Sequence, residues 1–287
     1  MNLTTWKSSG TYFSYKNHQI FAKENGVGET LVLIHGFPTS SWDWHKIWEP
    51  LMKKYHLLTI DMIGFGFSDK PKKYTYSIFD QADLFETFLK SKNIKKVHIL
   101  AHDYGDTVVQ ELLARSRDEN YEFQIQSVCF LNGGMFPETN FPTITQKLLL
   151  TPLGKYLKYF MGRGTLAKNF RKIFGKNTQA TSEEIDDFWA TIAYNKGKDV
   201  IPKIITYLHD RDTYKIRWRE AIQKTSTIPK ILINGGADPI SGKHMALFYQ
   251  EIIPDANVHI LEEIGHYPQT EASEEILKLY FEFRASL

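Results

Sequence analysis

The segment HILAHDYG, at residues 98–105, decides the predicted fold of this 287-residue chain. Its first half has the composition of a buried strand, and a helical pattern begins near Asp106. Ala101 and Gly105 each lie two residues from Asp103. This spacing is typical of a strained strand-to-helix turn, where bulky neighbours would clash and the middle side chain projects outward. We therefore expect Asp103 at the tip of such a turn, beside the free N–H groups of a helix N-terminus.

Short apolar runs alternate with helix-length segments along most of the chain. An alternating stretch at residues 10–24, centred on Lys16 and Asn17, predicts an antiparallel hairpin. The later runs, rich in Val, Ile and Leu, are residues 30–34, 57–60, 97–100, 127–131, 230–233 and 258–261. Helical patterns at residues 77–92 and 103–117 separate some of them. The sequence predicts an α/β fold with a mostly parallel, eight-stranded sheet and helices on both faces, its site at the carboxyl ends of the strands.

The alternation stops between Leu131 and Lys230, where the pattern becomes helical, loop-rich and aromatic. We interpret residues 136–221 as a helical cap inserted into a core of residues 1–135 and 222–287. Low-complexity tracts and long linkers are absent from the sequence, so the two parts should form one compact unit.

Composition excludes several classes of function. The chain is 42% hydrophobic and 24% charged, with a formal net charge of only +2 and no basic cluster, which argues against nucleic-acid binding. No signal-peptide pattern and no run near the roughly 18 apolar residues of a membrane span is present. We expect a cytoplasmic monomer or homodimer that acts on a small molecule. The single Cys129 should be a buried strand residue, and neither a metal nor an organic cofactor is expected.

Two loops are expected to supply an oxyanion hole. The sequence HGFP at residues 35–38 directly follows a predicted strand. In this type of fold that loop provides one donor and the residue after the nucleophile provides the other. The predicted pair is therefore the N–H groups of Phe37 and Tyr104. His35 could act as a base, although a histidine at this place more often ties the loop together.

Asp238 and His266 complete the predicted catalytic set. Asp238 lies just beyond the run at 230–233, and His266 just beyond the run at 258–261. The order Asp103, Asp238, His266 is that of nucleophile, acid and histidine in the α/β-hydrolase fold. Taken singly, these residues could instead be a helix cap, a turn former and a loop histidine.

These segments together resemble the epoxide hydrolase and haloalkane dehalogenase group of the α/β-hydrolase fold. The resemblance rests on the turn at Asp103, the HGFP loop, the sequence DMIGFGFS at residues 61–68, and the Asp238 and His266 segments. It covers the whole core. Within that group the chain more closely resembles the mesoderm-specific transcript family, through NGGMFPET at 132–139, QKLL at 146–149 and IP at 228–229. That family brings no firmly known substrate.

The wider resemblance implies a two-step reaction. The Asp103 carboxylate would attack a saturated carbon, and water activated by His266 would hydrolyse the resulting alkyl ester. A carboxylate suits this role because it is ionised at pH 7 and needs no base to attack. His266 would be neutral when it accepts the proton, while Asp238 would hold its tautomer.

The leaving group separates the alternatives. Haloalkane dehalogenases commonly place Trp after the nucleophile and often Asn after the HG pair, where this chain has Tyr104 and Phe37. Phe37 is typical of epoxide hydrolases, whose cap tyrosines protonate the opening epoxide. We therefore expect an epoxide-hydrolase-like enzyme, with a haloalkane or haloacid dehalogenase, or a non-enzymatic binding protein, as alternatives. Esters and lactones are less suited, because attack on a carbonyl would give an anhydride.

Substrate contacts are expected from the loops and from the cap. A largely apolar pocket would favour an uncharged or weakly polar substrate. Trp189 and Trp218 could donate to a halide, although buried tryptophans often only fill a core. The candidates for substrate contact are His35, Trp42, His102, Trp189, Tyr207 and Tyr214.

Overall fold

Eight strands form one sheet in a computed structural model that describes residues 1–118, 121–139, 141–151 and 154–287. The sheet order is β1-β2-β4-β3-β5-β6-β7-β8, and β3 to β8 run parallel to their neighbours, except where β4 meets β2. The strands are β1 (Thr11–Tyr15), β2 (His18–Asn25), β3 (Thr30–Ile34), β4 (His56–Ile60), β5 (Lys96–His102), β6 (Gln124–Leu131), β7 (Lys230–Gly235) and β8 (Asn257–Leu261). The predicted fold class, a mostly parallel eight-stranded sheet, is confirmed.

The first two strands form the predicted hairpin. Lys16 and Asn17 both have positive φ, 48° and 65°. Two such residues in a two-residue loop match the right-handed twist of the strands on either side. Tyr15 consequently pairs with His18, and β2 continues antiparallel along β4.

Helices connect the strands and also fill the long gap between β6 and β7. Helix α3 matches the helical pattern at 77–92, and α4 matches the pattern at 103–117. The helices are α1 (Leu3–Ser8), α2 (His45–Met52), α3 (Ile78–Ser91), α4 (Tyr104–Arg115), α5 (Ile144–Leu149), α6 (Gly154–Leu157), α7 (Arg163–Ile173), α8 (Ser182–Ala193), α9 (Ile201–Ile204), α10 (Tyr207–Gln223), α11 (Lys243–Ile252), α12 (Pro268–Glu271) and α13 (Ser273–Ala285).

Helices α5 to α10, which we call the insertion, lie where the sequence predicts a cap. The last of them, α10, packs along α4, the helix that begins next to Asp103. The central strands are buried, and Cys129 is a free, buried cysteine of β6, as predicted. Within the described ranges, no helix has both the length and the apolar character needed to cross a membrane.

Candidate active site

Asp103 lies at the tip of a strained turn between β5 and α4. Its backbone has φ 49° and ψ −106°, a conformation that a side chain-bearing residue rarely adopts. A Cβ atom at Gly105 would lie 2.3 Å from the carbonyl oxygen of Ile34, so this position requires glycine. The Asp103 carboxylate makes no capping hydrogen bond to α4. Capping therefore does not account for an aspartate at this position.

The HGFP loop lies against the Asp103 carboxylate. The Phe37 N–H donates to Asp103 Oδ2 at 3.0 Å. His35 fixes this loop, because its Nδ1 lies 2.8 Å from the Gly36 carbonyl oxygen and its Nε2 accepts from the Met62 N–H at 3.1 Å. Tyr104 is the first residue of α4, so its N–H has no acceptor within the helix. The Phe37 N–H thus contacts the Asp103 carboxylate, whereas the role of the Tyr104 N–H as the second oxyanion-hole donor stays a prediction.

His266 and Asp238 form a buried pair at the ends of the last two strands. His266 Nδ1 lies 2.7 Å from Asp238 Oδ2, and both residues are buried. Burial disfavours the charged imidazolium, but the Asp238 carboxylate outweighs it and raises the pKa of His266 to about 9. The charge on Asp103 also raises this pKa.

Asp103 and His266 line one cavity of about 450 Å³ beneath the insertion. Most of its wall is apolar, and Tyr207 and Arg211 of α10 add polar groups to it. Tyr207 is buried, and burial together with the charge on Asp103 raises the pKa of its hydroxyl. The apolar lining includes Phe37, Leu149, Leu166, Ile173, Trp189 and Ile192.

Arg211 is a site residue that the sequence reasoning missed. It is only 2% exposed, and its Nε donates to Thr107 Oγ1 at 2.8 Å. Its Nη2 donates to the Asp103 carbonyl oxygen at 3.3 Å and lies 3.7 Å from Asp103 Oδ1. The guanidinium also lies 4.6 Å from the centre of the Tyr207 ring. Its spacing of four residues from Tyr207, which puts both on one face of a helix, was the available signal.

The sequence matches a family model described as alpha/beta hydrolase fold over residues 29–273. The chain belongs to this alpha/beta hydrolase fold family. It is 40% identical over 297 residues to the mesoderm-specific transcript protein of Mus musculus, covering 98% of this chain and 87% of the mouse protein. The resemblance to that family, stated above from the sequence motifs, is confirmed.

Two solved structures of the alpha/beta hydrolase fold superpose on nearly the whole chain. One is a haloalkane dehalogenase, the DbeA-M1 loop variant from Bradyrhizobium elkanii, with a TM-score of 0.80 and 19% identity over 97% of this chain and 98% of that chain. The other is the epoxide hydrolase CorEH, with a TM-score of 0.79 and 17% identity over 96% and 98%. At these identities the likeness establishes the shared fold.

The remaining predicted contacts of this hydrolase-fold protein divide into two groups. Trp189 and Tyr207 line the cavity. Tyr214 does not: it is 38% exposed and packs against Phe79 and Trp218, because seven residues of helix carry it about 10 Å along α10 from Tyr207. Trp218 does not line the cavity either, and its Nε1 donates to Glu111 at 2.9 Å.

His35, Trp42 and His102 are buried behind the cavity wall instead of lining it. Trp42 stacks on His45 and meets Trp6 edge-on. His102 Nε2 donates to the His266 carbonyl oxygen at 2.7 Å, so His102 supports the loop that carries His266. Among the described residues, no three His, Cys, Asp or Glu side chains are grouped as metal ligands.

Proposed function

We propose that this protein is an epoxide-hydrolase-like enzyme that uses Asp103 as its nucleophile. The observation that carries the proposal is the carboxylate of Asp103, held by the Phe37 N–H and lining one cavity with His266 and Tyr207. Because Oδ2 accepts from Phe37, the other oxygen, Oδ1, is the attacking atom. The hydrogen bond to Oδ2 then stabilises the oxyanion of the second step.

In the first step, Asp103 Oδ1 bonds to a ring carbon and that carbon's bond to the epoxide oxygen breaks. Tyr207 of α10 gives its proton to this oxygen. Tyr267 lines the same cavity, but its ring packs against His102 and Phe174 beside the loop of His266, so Tyr207 is the better donor. The products of the step are a hydroxyalkyl ester on Asp103 and a tyrosinate.

In the second step, water attacks Asp103 Cγ while His266 accepts a proton from it. The tetrahedral intermediate expels the alkoxide, which takes up the proton of the acid formed on Asp103, so that a diol leaves. The proton on His266 returns to Tyr207. Ester formation removes the charge on Asp103 that raises the pKa of His266, so this histidine becomes neutral more readily in the state where a base is needed.

The polar groups around the cavity favour an epoxide over a halide. A halide site needs N–H donors facing the leaving group. Phe37 and Tyr104 occupy the positions where dehalogenases commonly carry such donors, and the indole of Trp218 already donates to Glu111. Among the described residues, Trp189 is therefore the one tryptophan in the cavity wall that could donate to a halide.

The decisive experiment is His266→Gln exposed to a mixed panel of epoxides and alkyl halides, followed by intact mass and peptide mapping. Without its base the protein should accumulate the ester on Asp103. A mass gain equal to the whole epoxide means epoxide opening, whereas a gain equal to the organic group without halogen means dehalogenation.

His56→Gln is the matched control, because His56 lies at the start of β4 beside Glu24, away from the cavity. It should turn over the same compounds without a stable adduct. An adduct on another residue, or no adduct with any epoxide, would count against Asp103 as the nucleophile of an epoxide hydrolase.

A further inference from the structure

Arg211 places a buried positive charge beside the attacking oxygen. The guanidinium is 2% exposed and, as in arginine side chains generally, carries a positive charge. Its Nε and Nη2 have protein acceptors, whereas Nη1 has no hydrogen-bond partner among the described residues. Arg211 also lines the cavity. Hydrogen-bond donors of a fixed cation therefore face the space that a substrate would fill.

The negative charge nearest to Arg211 is lost when the proposed ester forms on Asp103. Asp103 Oδ1 lies 3.7 Å from Nη2 in the free protein, but an ester on Asp103 is uncharged. Asp106 cannot replace it, because burial, the largest influence on this group, raises the pKa of Asp106 well above its usual range. The tyrosinate of Tyr207 formed in the same step presents its ring to the guanidinium, at 4.6 Å, so Arg211 lacks a hydrogen-bonded anion, which is unfavourable for a buried cation. An anionic group on the substrate would restore the pairing.

We propose that Arg211 binds a carboxylate of the substrate, so that the site takes an epoxide with a carboxylate next to the ring and an aliphatic chain beyond it. This inference rests on the proposed function. The carboxylate would accept from Nη1 and Nη2, which places the neighbouring ring carbon near Asp103 Oδ1. The apolar walls formed by Leu166, Ile173 and Ile192 suit the chain. The product is a dihydroxy acid, and the reaction consumes one water.

This conclusion differs from the uncharged substrate that the sequence favours. The apolar lining is present, but a bidentate guanidinium is the group that matches the geometry of a carboxylate. A rival role for Arg211 is to neutralise Asp103 or to stabilise the tyrosinate of Tyr207, over whose ring it lies. In that role it would act equally on charged and uncharged substrates, and this difference provides the test.

Binding is tested without turnover in Asp103→Asn, which copies the uncharged state of the esterified aspartate. Hexanoate and hexanamide are the probes, measured by calorimetry. We expect hexanoate to bind about ten- to a hundredfold more tightly than hexanamide, the range of a charge-assisted hydrogen bond. Adding Arg211→Gln should remove the preference, whereas Arg211→Lys should keep part of it.

Lys215→Gln is the matched control, because Lys215 is an exposed cation on the same helix. It should leave the preference unchanged. Equal affinity for the two probes in Asp103→Asn would overturn the proposal, whatever the fate of the Arg211 variants.

Turnover is tested with trans-2,3-epoxyhexanoate and its primary amide. The unsubstituted protein should prefer the acid by at least about tenfold in kcat/KM, and Arg211→Gln should lose this preference because kcat/KM falls further for the acid than for the amide. Equal losses for both compounds would assign Arg211 to Asp103 or Tyr207 and overturn carboxylate binding. Carboxylate binding without opening of any epoxide would instead retain the anion site and refute the proposed function.

Discussion

Asp238 shows how a single buried side chain is kept charged. It accepts hydrogen bonds from the Ile240 N–H at 2.8 Å, from the Ser241 N–H at 3.1 Å and hydroxyl at 2.8 Å, and from Asn132 Nδ2 at 3.1 Å. Burial raises its pKa, but His266 and these donors outweigh burial and lower it. The carboxylate therefore stays ionised and holds the proton of His266 on Nδ1.

Asp238→Asn should separate the two steps of the reaction. The amide preserves the shape but cannot stabilise the imidazolium, so ester hydrolysis should slow by roughly 10³- to 10⁴-fold, as when the acid of a serine triad is replaced. Ester formation does not need His266 as a base and should persist. Rapid quenching and mass spectrometry would then show the ester on Asp103 at steady state.

Asp255→Asn provides the control, since Asp255 is exposed at a positive φ of 54°, where asparagine is equally suited. Its two steps should keep their rates. If Asp238→Asn slowed both steps equally, Asp238 would be supporting the fold of the site rather than its base.

Helix α10 is one of the elements that join the insertion to the hydrolase core. Glu111 of α4, 1% exposed, accepts from Arg217 at 2.9 and 3.0 Å and from the Trp218 indole at 2.9 Å. Arg115 of α4 donates to the same carboxylate. One buried carboxylate thus fastens the half of α10 that follows Arg211.

Glu111→Gln should weaken this attachment. Losing the charge leaves two guanidinium groups without their common partner, and we expect the free energy of unfolding to fall by about 1–3 kcal/mol. Since α10 carries Tyr207 and Arg211, kcat/KM should fall as well. Urea unfolding and steady-state kinetics would measure both.

Glu220→Gln on the same helix removes an exposed pair with Lys224. It should leave the unfolding midpoint unchanged, because exposed ion pairs contribute little. An equally small effect of Glu111→Gln would mean that α10 is held by its apolar packing and by the contacts of Arg211.

At the scale of the whole molecule, the sequence was most informative where backbone geometry restricts residue type. The turn at Asp103 demands small neighbours, and the pleat of a two-stranded hairpin demands alternating polar and apolar residues on either side of Lys16 and Asn17, so both features are visible as local patterns. The sheet and the strand ends follow from the apolar runs that alternate with helical segments, and the family follows from the sequence motifs at those ends. The catalytic roles of the residues at those strand ends stay predictions, although Asp238 and His266 do form a hydrogen-bonded pair.

Sequence reasoning was weakest in the insertion, where helix faces meet by packing. Tyr207 and Tyr214 lie on nearly the same face of α10. Because they lie at different points along the helix, Tyr207 lines the cavity and Tyr214 packs against Phe79. Arg211 looks like any other helical arginine until α4 brings Thr107 and Asp103 to it. The spacing within α10 places Arg211 on the face of Tyr207, but its contacts with distant segments leave no local pattern.

The buried pair of His266 and Asp238 should also make the stability of the whole protein depend on pH. The raised pKa lets folded His266 keep its proton up to about pH 9, whereas an unfolded histidine loses it near pH 6.5. The folded state therefore binds more protons between these values. The resulting stabilisation is fully present below pH 6.5 and is lost as pH rises to 9, by at most about 1.4 kcal/mol per pH unit.

Urea unfolding at several pH values from 7 to 8.5 would measure this slope. His266→Gln should remove the part of this slope that His266 contributes, whereas His56→Gln should keep the full slope. Other groups, such as Asp43 with its pKa raised by burial to about 8, remain in every variant and cancel in the comparison. Equal slopes in the protein and in His266→Gln would mean that His266 is neutral at rest.

Helices α10 and α5 both contribute residues to the cavity but differ in their exposure. Arg211 and Glu111 tie α10 to the core, whereas Ile144 of α5 lines the same cavity and is 77% exposed, so the cavity reaches the surface there. The entrance of the cavity therefore lies beside α5. Substrate and product would pass there, while the side chains proposed for the reaction, Tyr207 and Arg211, are carried by a different helix, α10.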